Sequence, residues 1–282
     1  MALVFVDPDI RVGAHIDLAP TIIETAQNTR DCSLNLCQVY LGKYYPQKYT
    51  IAELEQTKEI CQNSLIQIYA HAPLSILANN NTPHLFRSIP LMLDITSFTQ
   101  GSVVIHMGSD SDQIRGNGNI MANINRLMKT PTDYQKVIKT QRSLLLENSA
   151  GQGNQLGTTL DNLVAIYQGI EDKERVGICL DTQHLFAAGE YDFRRLEEID
   201  RYFRDVELQI GNAVRLIHLN DSIPEFGGKV DRHIGLTKGK LFREENLSYL
   251  LRKAKERHLP LILETKGDIP EDLKLLNKLR EI

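Results

Sequence analysis

The chain has only four cysteines, no long apolar run and no excess of positive charge. Each shortage excludes something. Without a run of about 20 apolar residues no helix is expected to cross a bilayer, so no membrane partner is expected. Cys32, Cys37, Cys61 and Cys179 form no C-x-x-C pair, and a reducing interior is the default setting. Whether Cys32 and Cys37 bridge is open at this level. The opening M-A-L-V-F-V-D-P-D lacks the basic and apolar regions of a secretory signal. The expectation is therefore an intracellular, soluble protein that is not secreted, in cytoplasm or nucleus. A net charge of −4 argues by itself against nucleic acid as a partner. Bound divalent ions would change that sign locally, since three zinc ions bring the total from −4 to about +2.

What the chain does have is short apolar runs that end abruptly in metal-type ligands. Residues 176–184, V-G-I-C-L-D-T-Q-H, begin as a buried strand and finish on Asp181 and His184. Ionised groups beside a core are costly unless paired or bound to a metal. The pattern recurs: runs over 64–69, 102–105, 143–146, 214–217 and 260–263 lead into His71, His106, Glu147, His218 and Glu264. Segments 10–15 and 34–40 bring the strands to eight.

Helix-like stretches separate these strands. They cover 20–28, a segment opened by a Thr50/Glu53 capping box, 83–99 with Pro83 in its first turn, and 159–170, 192–210, 243–257 and 270–280. The polar stretch 107–119 reads as a long loop before a fourth helix, and Pro131 separates that helix from one over 132–140. Strands alternating with helices predict an α/β protein, and at 282 residues the closed (β/α)8 TIM barrel fits best. No linker or composition shift divides the chain, so residues 1–282 are expected to form one domain. In such barrels the active site lies at the C-terminal ends of the strands, where the ligand-type residues fall here.

The constellation is His71, His106, Glu147, Asp181, His184, His218, Asp231, His233 and Glu264. Imidazole and carboxylate without thiolate suit zinc or manganese. Asp231 and His233, two apart, face one side of an extended segment. Nine ligands exceed what one ion needs, and bridging carboxylates let the set accommodate three. His15, His84 and His258 stay outside it. One histidine alone reads as a satisfied core or surface residue; nine such residues on one rim do not.

These residues lie in segments that resemble the endonuclease IV family of zinc-dependent apurinic/apyrimidinic (AP) endonucleases. The segments are G-A-H at 13–15, L-L-L-E-N-S-A-G-Q-G at 144–153, C-L-D-T-Q-H-L-F-A-A-G at 179–189, I-H-L-N-D at 217–221, V-D-R-H at 230–233 and P-L-I-L-E-T at 260–265. The likeness covers essentially the whole chain. It implies a monomeric DNA-repair enzyme acting on double-stranded DNA that contains abasic sites. The implied reaction, in base excision repair, hydrolyses the phosphodiester 5′ to the site and leaves a 3′-hydroxyl and a 5′-deoxyribose phosphate. It implies three zinc ions per chain, with manganese admissible at one position. His71, His106 and Glu147 would hold the first, and Glu147, Asp181, His218 and Glu264 the second. His184, Asp231 and His233 would hold the third. Glu147 and Glu264 would be the catalytic carboxylates, Glu264 orienting the attacking water.

Two segments depart from the family pattern. After His71 the family has an aromatic wedge, whereas here A-P-L-S follows, so Leu74, or Tyr44 and Tyr45, would take that part. After Asp231-Arg232-His233 the family has a second histidine, whereas here Ile234 stands. Lys43 and Arg232 are further candidate DNA contacts, and Arg115, Lys229, Lys238 and Lys240 lie in rim loops where phosphates would run. For each lysine and arginine the plain alternative is a solvated surface charge. Gly151, Gly153 and Gly157 lack the spacing of a dinucleotide fingerprint and fit a close backbone approach beside Glu147. Two other functions compete with the nuclease. One is a metal-dependent sugar isomerase or epimerase of the xylose-isomerase-like barrel group, with one or two ions and a lysine or glutamate base. The other is a catalytically silent binder of damaged DNA.

Overall fold

In the computed structural model residues 11–137, 141–265 and 268–279 are described. The N-terminal nonapeptide, the end of the helix expected over 132–140 and the last residue of that expected over 270–280 lie outside them. Eight strands close a barrel: β1 Val12–His15, β2 Leu36–Val39, β3 Gln67–His71, β4 Val103–His106, β5 Leu144–Glu147, β6 Val176–Asp181, β7 Val214–His218 and, last in the chain, β10 Leu261–Leu263. Every neighbouring pair is parallel, and β1 pairs with both β2 and β10 to complete the ring. The strands are short and largely apolar before their C-terminal ends, because both of their faces are covered.

One layer of the lumen takes a side chain from each of seven strands: Leu36, Tyr69, Val104, Leu145, Cys179, Leu216 and Ile262. The eighth position is Gly13, which pairs with Leu36 on one side and Ile262 on the other. A methyl group there would lie 2.0 Å from the carbonyl oxygen of Leu36. The alternate strand residues face the surrounding helices and form the main core with them.

The helices are α1 Ile22–Asp31, α2 Ile51–Ser64, α3 Pro83–Ser97, α4 Gln113–Lys129, α5 Asp133–Val137, α6 Leu160–Gln168, α7 Thr182–Ala188, α8 Leu196–Ile210, α9 Glu244–Glu256 and α10 Ile269–Leu279. The Thr50/Glu53 box opens α2 as expected, and a second box, Thr21 with Glu24, opens α1. Three departures from the sequence reading matter for the site. Helix α4 begins inside the stretch read as a loop, because Asp112 caps it by accepting from the Arg115 backbone at 3.1 Å. Gly116 sits there against Leu156, where a Cβ would have no room. Helix α7 was not expected at all. Asp181 caps it, accepting from the His184 backbone at 2.8 Å, so β6 passes straight into a helix that carries the next ligand. The long loop after β7 contains an antiparallel ribbon, β8 Asp221–Ser222 with β9 His233–Ile234. All four cysteines are free, Cys32 at the surface and Cys37 buried. Among the described residues no helix is long and apolar enough to cross a membrane.

Candidate metal centre

The C-terminal strand ends surround a cavity of about 790 Å³. Its lining is mostly polar, with His15, His71, His106, Glu147, His184, Asp231, His233, Glu264 and the exposed Asp17; Ile16, Tyr40, Leu74 and Ile269 supply the apolar and aromatic part. Strands β3, β4, β5, β6 and β7 end on His71, His106, Glu147, Asp181 and His218, and β10 stops one residue before Glu264. The β8/β9 ribbon brings Asp231 and His233 back over the mouth from a part of the chain that does not contribute to the barrel.

The donor atoms converge in three groups: His71 with His106 and Glu147; Glu147 with Asp181, His218 and Glu264; and Asp181 with His184 and His233. Glu147 Oε2 lies 3.1 Å from His71 Nε2 and 3.4 Å from His106 Nδ1, while its Oε1 lies 3.0 Å from His218 Nδ1. Asp231 reaches His184 Nε2 at 3.2 Å and His233 Nε2 at 3.1 Å. The third group therefore differs from the sequence reading in two respects. Asp181 joins it, because its Oδ2 lies 3.7 Å from His233 Nε2, and Asp231 stands beside the group, against its two histidines.

Several neighbours fix how the ligands point. His71 Nδ1 donates to the Ala72 carbonyl at 2.7 Å and His184 Nδ1 to the Asn148 carbonyl at 2.9 Å. A carbonyl only accepts, so Nδ1 carries a hydrogen in both rings, and in the neutral ring it is the Nε2 lone pair that is offered to a metal. His184 Nε2 and His233 Nε2 are buried and meet the Asp231 carboxylate at ion-pair distance but outside hydrogen-bonding geometry. Buried polar atoms are seldom left without partners unless something else binds them, and these two fit a metal. Asn148 accepts from the Asp181 backbone at 2.6 Å and donates to the Asp181 carbonyl at 3.1 Å. Asn220 donates to Asp181 Oδ2 at 2.7 Å and to Glu264 Oε2 at 3.2 Å.

The electrostatics follow from burial and crowding. Burial opposes charge on Glu147 and Glu264. The imidazoles of His106 and His218 outweigh it for Glu147, and those of His218, His15 and His71 for Glu264, so both carboxyls lie well below the usual range. Burial lowers His184, but Asp181, Asp231 and Glu147 together push it up to about 10. His218 is raised well above its ordinary value against the same burial penalty, and His106, where burial wins, is lowered. The cage thus stores negative charge that cations or protons must balance.

The structure separates the candidate DNA contacts. Leu74 is 65% exposed on the cavity rim. Tyr44 and Tyr45 lie away from the cavity lining, on either side of His84 with ring centroids at 5.5 and 5.2 Å, and the Lys43 ammonium lies 5.5 Å over the Tyr44 ring. Arg232 is exposed between two ligands and Lys229 is exposed nearby. Three of the rim-loop cations, for which a surface charge was the plain alternative to a phosphate contact, form local ion pairs: Lys238 with Asp268 and Glu271 at 2.7 and 2.6 Å, Lys240 with Glu225 at 3.0 Å, and Arg115 with Asp110. Carboxylates within reach hold them as local ion pairs. The glycine-rich loop folds back on itself, Ser149 N donating to the Gly157 carbonyl at 3.1 Å, with Gly151 and Gly157 at positive φ.

Sequence reading left out His15, Tyr40, Gln38, Asn148 and Asn220. His15 ends β1 as the other ligands end their strands, and its Nδ1 lies 3.5 Å from Glu264 Oε1, so the same signal would have found it. Tyr40 follows β2 and packs edge-on against His71 at 5.5 Å and against His15 at 4.5 Å. Burial, then the Glu264 and Glu147 charges, push its phenol up to about 12, so it keeps its hydrogen.

A closed eight-stranded parallel barrel with imidazoles and carboxylates grouped at its mouth defines a TIM-barrel protein with a metal-capable site. Residues 27–280 match the model of the xylose isomerase-like TIM barrel family, and the chain belongs to that family. The endonuclease IV resemblance is borne out within it by a curated relative from Methanoculleus marisnigri named "Probable endonuclease 4". That protein is 39% identical over 169 residues, 59% of this chain and 57% of its own length. The match thus spans little more than half of the relative. Endonuclease IV from Thermus thermophilus superposes with a TM-score of 0.77 at 22% identity, over 96% of this chain and 98% of that one. A D-psicose 3-epimerase from Clostridium cellulolyticum shares the fold less closely, with a TM-score of 0.60 at 10% identity over 96% and 92% of the two chains.

Proposed function

We propose that this protein is an AP endonuclease that acts as a monomer on double-stranded DNA. It hydrolyses the phosphodiester 5′ to an abasic site, leaving a 3′-hydroxyl and a 5′-deoxyribose phosphate, as a step of base excision repair. The observation that carries the reading is the grouping of nine ligand side chains at one mouth, with Glu147 and Asp181 each shared between two groups. The name of the 39% identical relative points the same way.

Zinc suits the donor set, and three ions held by these groups would polarise a phosphate and lower the pKa of water. The chain's own residues do the rest. Glu264, partly exposed to the cavity, orients the attacking water and accepts its hydrogen. Glu147 ties the first group to the second, so the donors of both keep one spacing. Leu74 enters the gap in the base stack and helps exclude water from the cavity. Tyr40 offers a hydroxyl donor beside His71.

The isomerase reading needs a lysine or glutamate base; among the described residues no lysine lines the cavity, and its glutamates, Glu147 and Glu264, both fall in the ligand groups. The deciding assay is cleavage of a duplex carrying one synthetic abasic analogue, with and without chelator. Chelator-sensitive incision at the 5′ side is expected. An intact duplex after incubation with zinc-loaded protein would favour a silent damage binder.

A further inference from the structure

Gln38 lies on β2, fully buried beneath the cavity, and has no part in the ligand set. Its amide touches three groups at once. Nε2 lies 2.8 Å from Glu264 Oε1 and 3.1 Å from His15 Nδ1, and Oε1 lies 3.0 Å from His218 Nε2. We infer that Gln38, with His15 behind it, is a positioning residue: it dictates which nitrogen of His218 faces the second ligand group, and it holds Glu264 beside that nitrogen. This deepens the metal reading of the same site and rests on it.

The argument is one of donors and acceptors. A carboxylate only accepts, so the amide nitrogen must face Glu264. The amide oxygen then faces His218 Nε2 and can only accept, so that nitrogen carries the hydrogen. With a cation bound, the lone pair of His218 is then left on Nδ1, which points between Glu147 Oε1 at 3.0 Å and Glu264 Oε2 at 3.2 Å. The second amide hydrogen requires a lone pair on His15 Nδ1, so the His15 hydrogen sits on Nε2. Turning the amide over would set its carbonyl against a carboxylate and its N–H against His218. The hydrogen of His218 would then move to Nδ1 and cover the metal-facing lone pair. Glu264 is held on its other side by Asn220, which donates to Oε2 and accepts from the Glu264 backbone at 3.0 Å. Both oxygens of Glu264 are thereby tied to buried amides, one on β2 and one just after β7. Such outer partners orient ligands, and their loss typically weakens metal binding about 10–100-fold.

Two variants test this in the zinc-loaded protein. Gln38→Met keeps the volume and removes every hydrogen bond, whereas Gln38→Glu keeps an acceptor for His218 and loses the donor to Glu264. The readouts are zinc affinity by chelator competition, the His218 ring signals in long-range 1H–15N spectra, and kcat separately from KM on abasic duplex. Gln38→Met is expected to bind one zinc about 10–100-fold more weakly and to lose the hydrogen-bonded Nε2–H signal of His218. Its kcat should fall while KM holds. Gln38→Glu is expected to retain that signal and still lose kcat. Wild-type zinc affinity together with an unchanged His218 signal in Gln38→Met would overturn the inference, as would a lowered melting temperature with neither of those changes. A wild-type protein that binds zinc but does not cut abasic DNA would refute the nuclease reading alone, because affinity and ring signals need no DNA. A wild-type protein that takes up no zinc would refute both.

Discussion

Glu264 lines the cavity, only partly exposed, while its carboxylate oxygens are gripped by Gln38 and Asn220. Replacing it by glutamine keeps the shape and removes the base. Glu264→Gln should lower kcat by about 10²–10⁴ while abasic duplex still binds, as gel shift and single-turnover cleavage would show together. Near wild-type turnover would remove Glu264 from the chemistry. Leu74→Ala addresses the rim: losing a buried leucine contact of about 1.5–3 kcal/mol should weaken abasic-duplex binding at least about tenfold, with metal content unchanged. Equal affinity would show that another residue is the wedge. His184 sets a pH dependence. Its folded value of about 10 lies above the unfolded one, so its contribution to the metal-free fold is full below about 6.5 and is lost as pH rises through about 10. Glu147 and Glu264 are depressed, so their contribution is lost as pH falls below the ordinary carboxylate range. The melting temperature of chelator-stripped protein should therefore fall from neutral pH toward pH 10, and a flat profile would contradict the charge assignment. Six candidate ligands, His71, His106, Glu147, Asp181, His218 and Glu264, were legible in the sequence because ionisable residues terminate apolar runs, whereas Asp231 and His233 stood out through their spacing and the family resemblance. Gln38, Asn148 and Asn220 were not, because a neutral amide inside or just beyond a strand leaves no such mark.

At the scale of elements, the strands were readable from their runs, and the capped helices from Thr50 and Pro83. Helix α7 was hidden because Asp181 serves both as the last residue of a strand and as a helix cap. The β8/β9 ribbon was hidden because two-residue strands carry no periodicity. That ribbon accounts for the third ligand group, since it carries His233 opposite Ser222. The lumen layer makes its own prediction. Gly13→Ala pushes a methyl group into the Leu36 carbonyl and side chain, and overpacking of this kind costs about 1–3 kcal/mol. Urea titration should show that loss, whereas unchanged stability would mean that the seven-residue layer yields more easily than its packing suggests.

For the whole molecule, the net charge of −4 looked unfavourable for a DNA enzyme until the ligand cage was counted. Four of the 36 carboxylates, Glu147, Asp181, Asp231 and Glu264, gather at the mouth, so three divalent ions bound there would reverse the local sign where a phosphate would sit. The barrel was legible from the alternation of strands and helices. A solved endonuclease IV and a sugar epimerase share it, so the fold alone does not choose between nuclease and isomerase. The proposed function rests instead on the number of ligand groups. Metal analysis of the purified protein by mass spectrometry, after loading with zinc and removal of loose ions, is the most direct test. Three groups of ligands predict about three tightly held zinc ions per chain. A single tightly held ion, or none, would contradict the account.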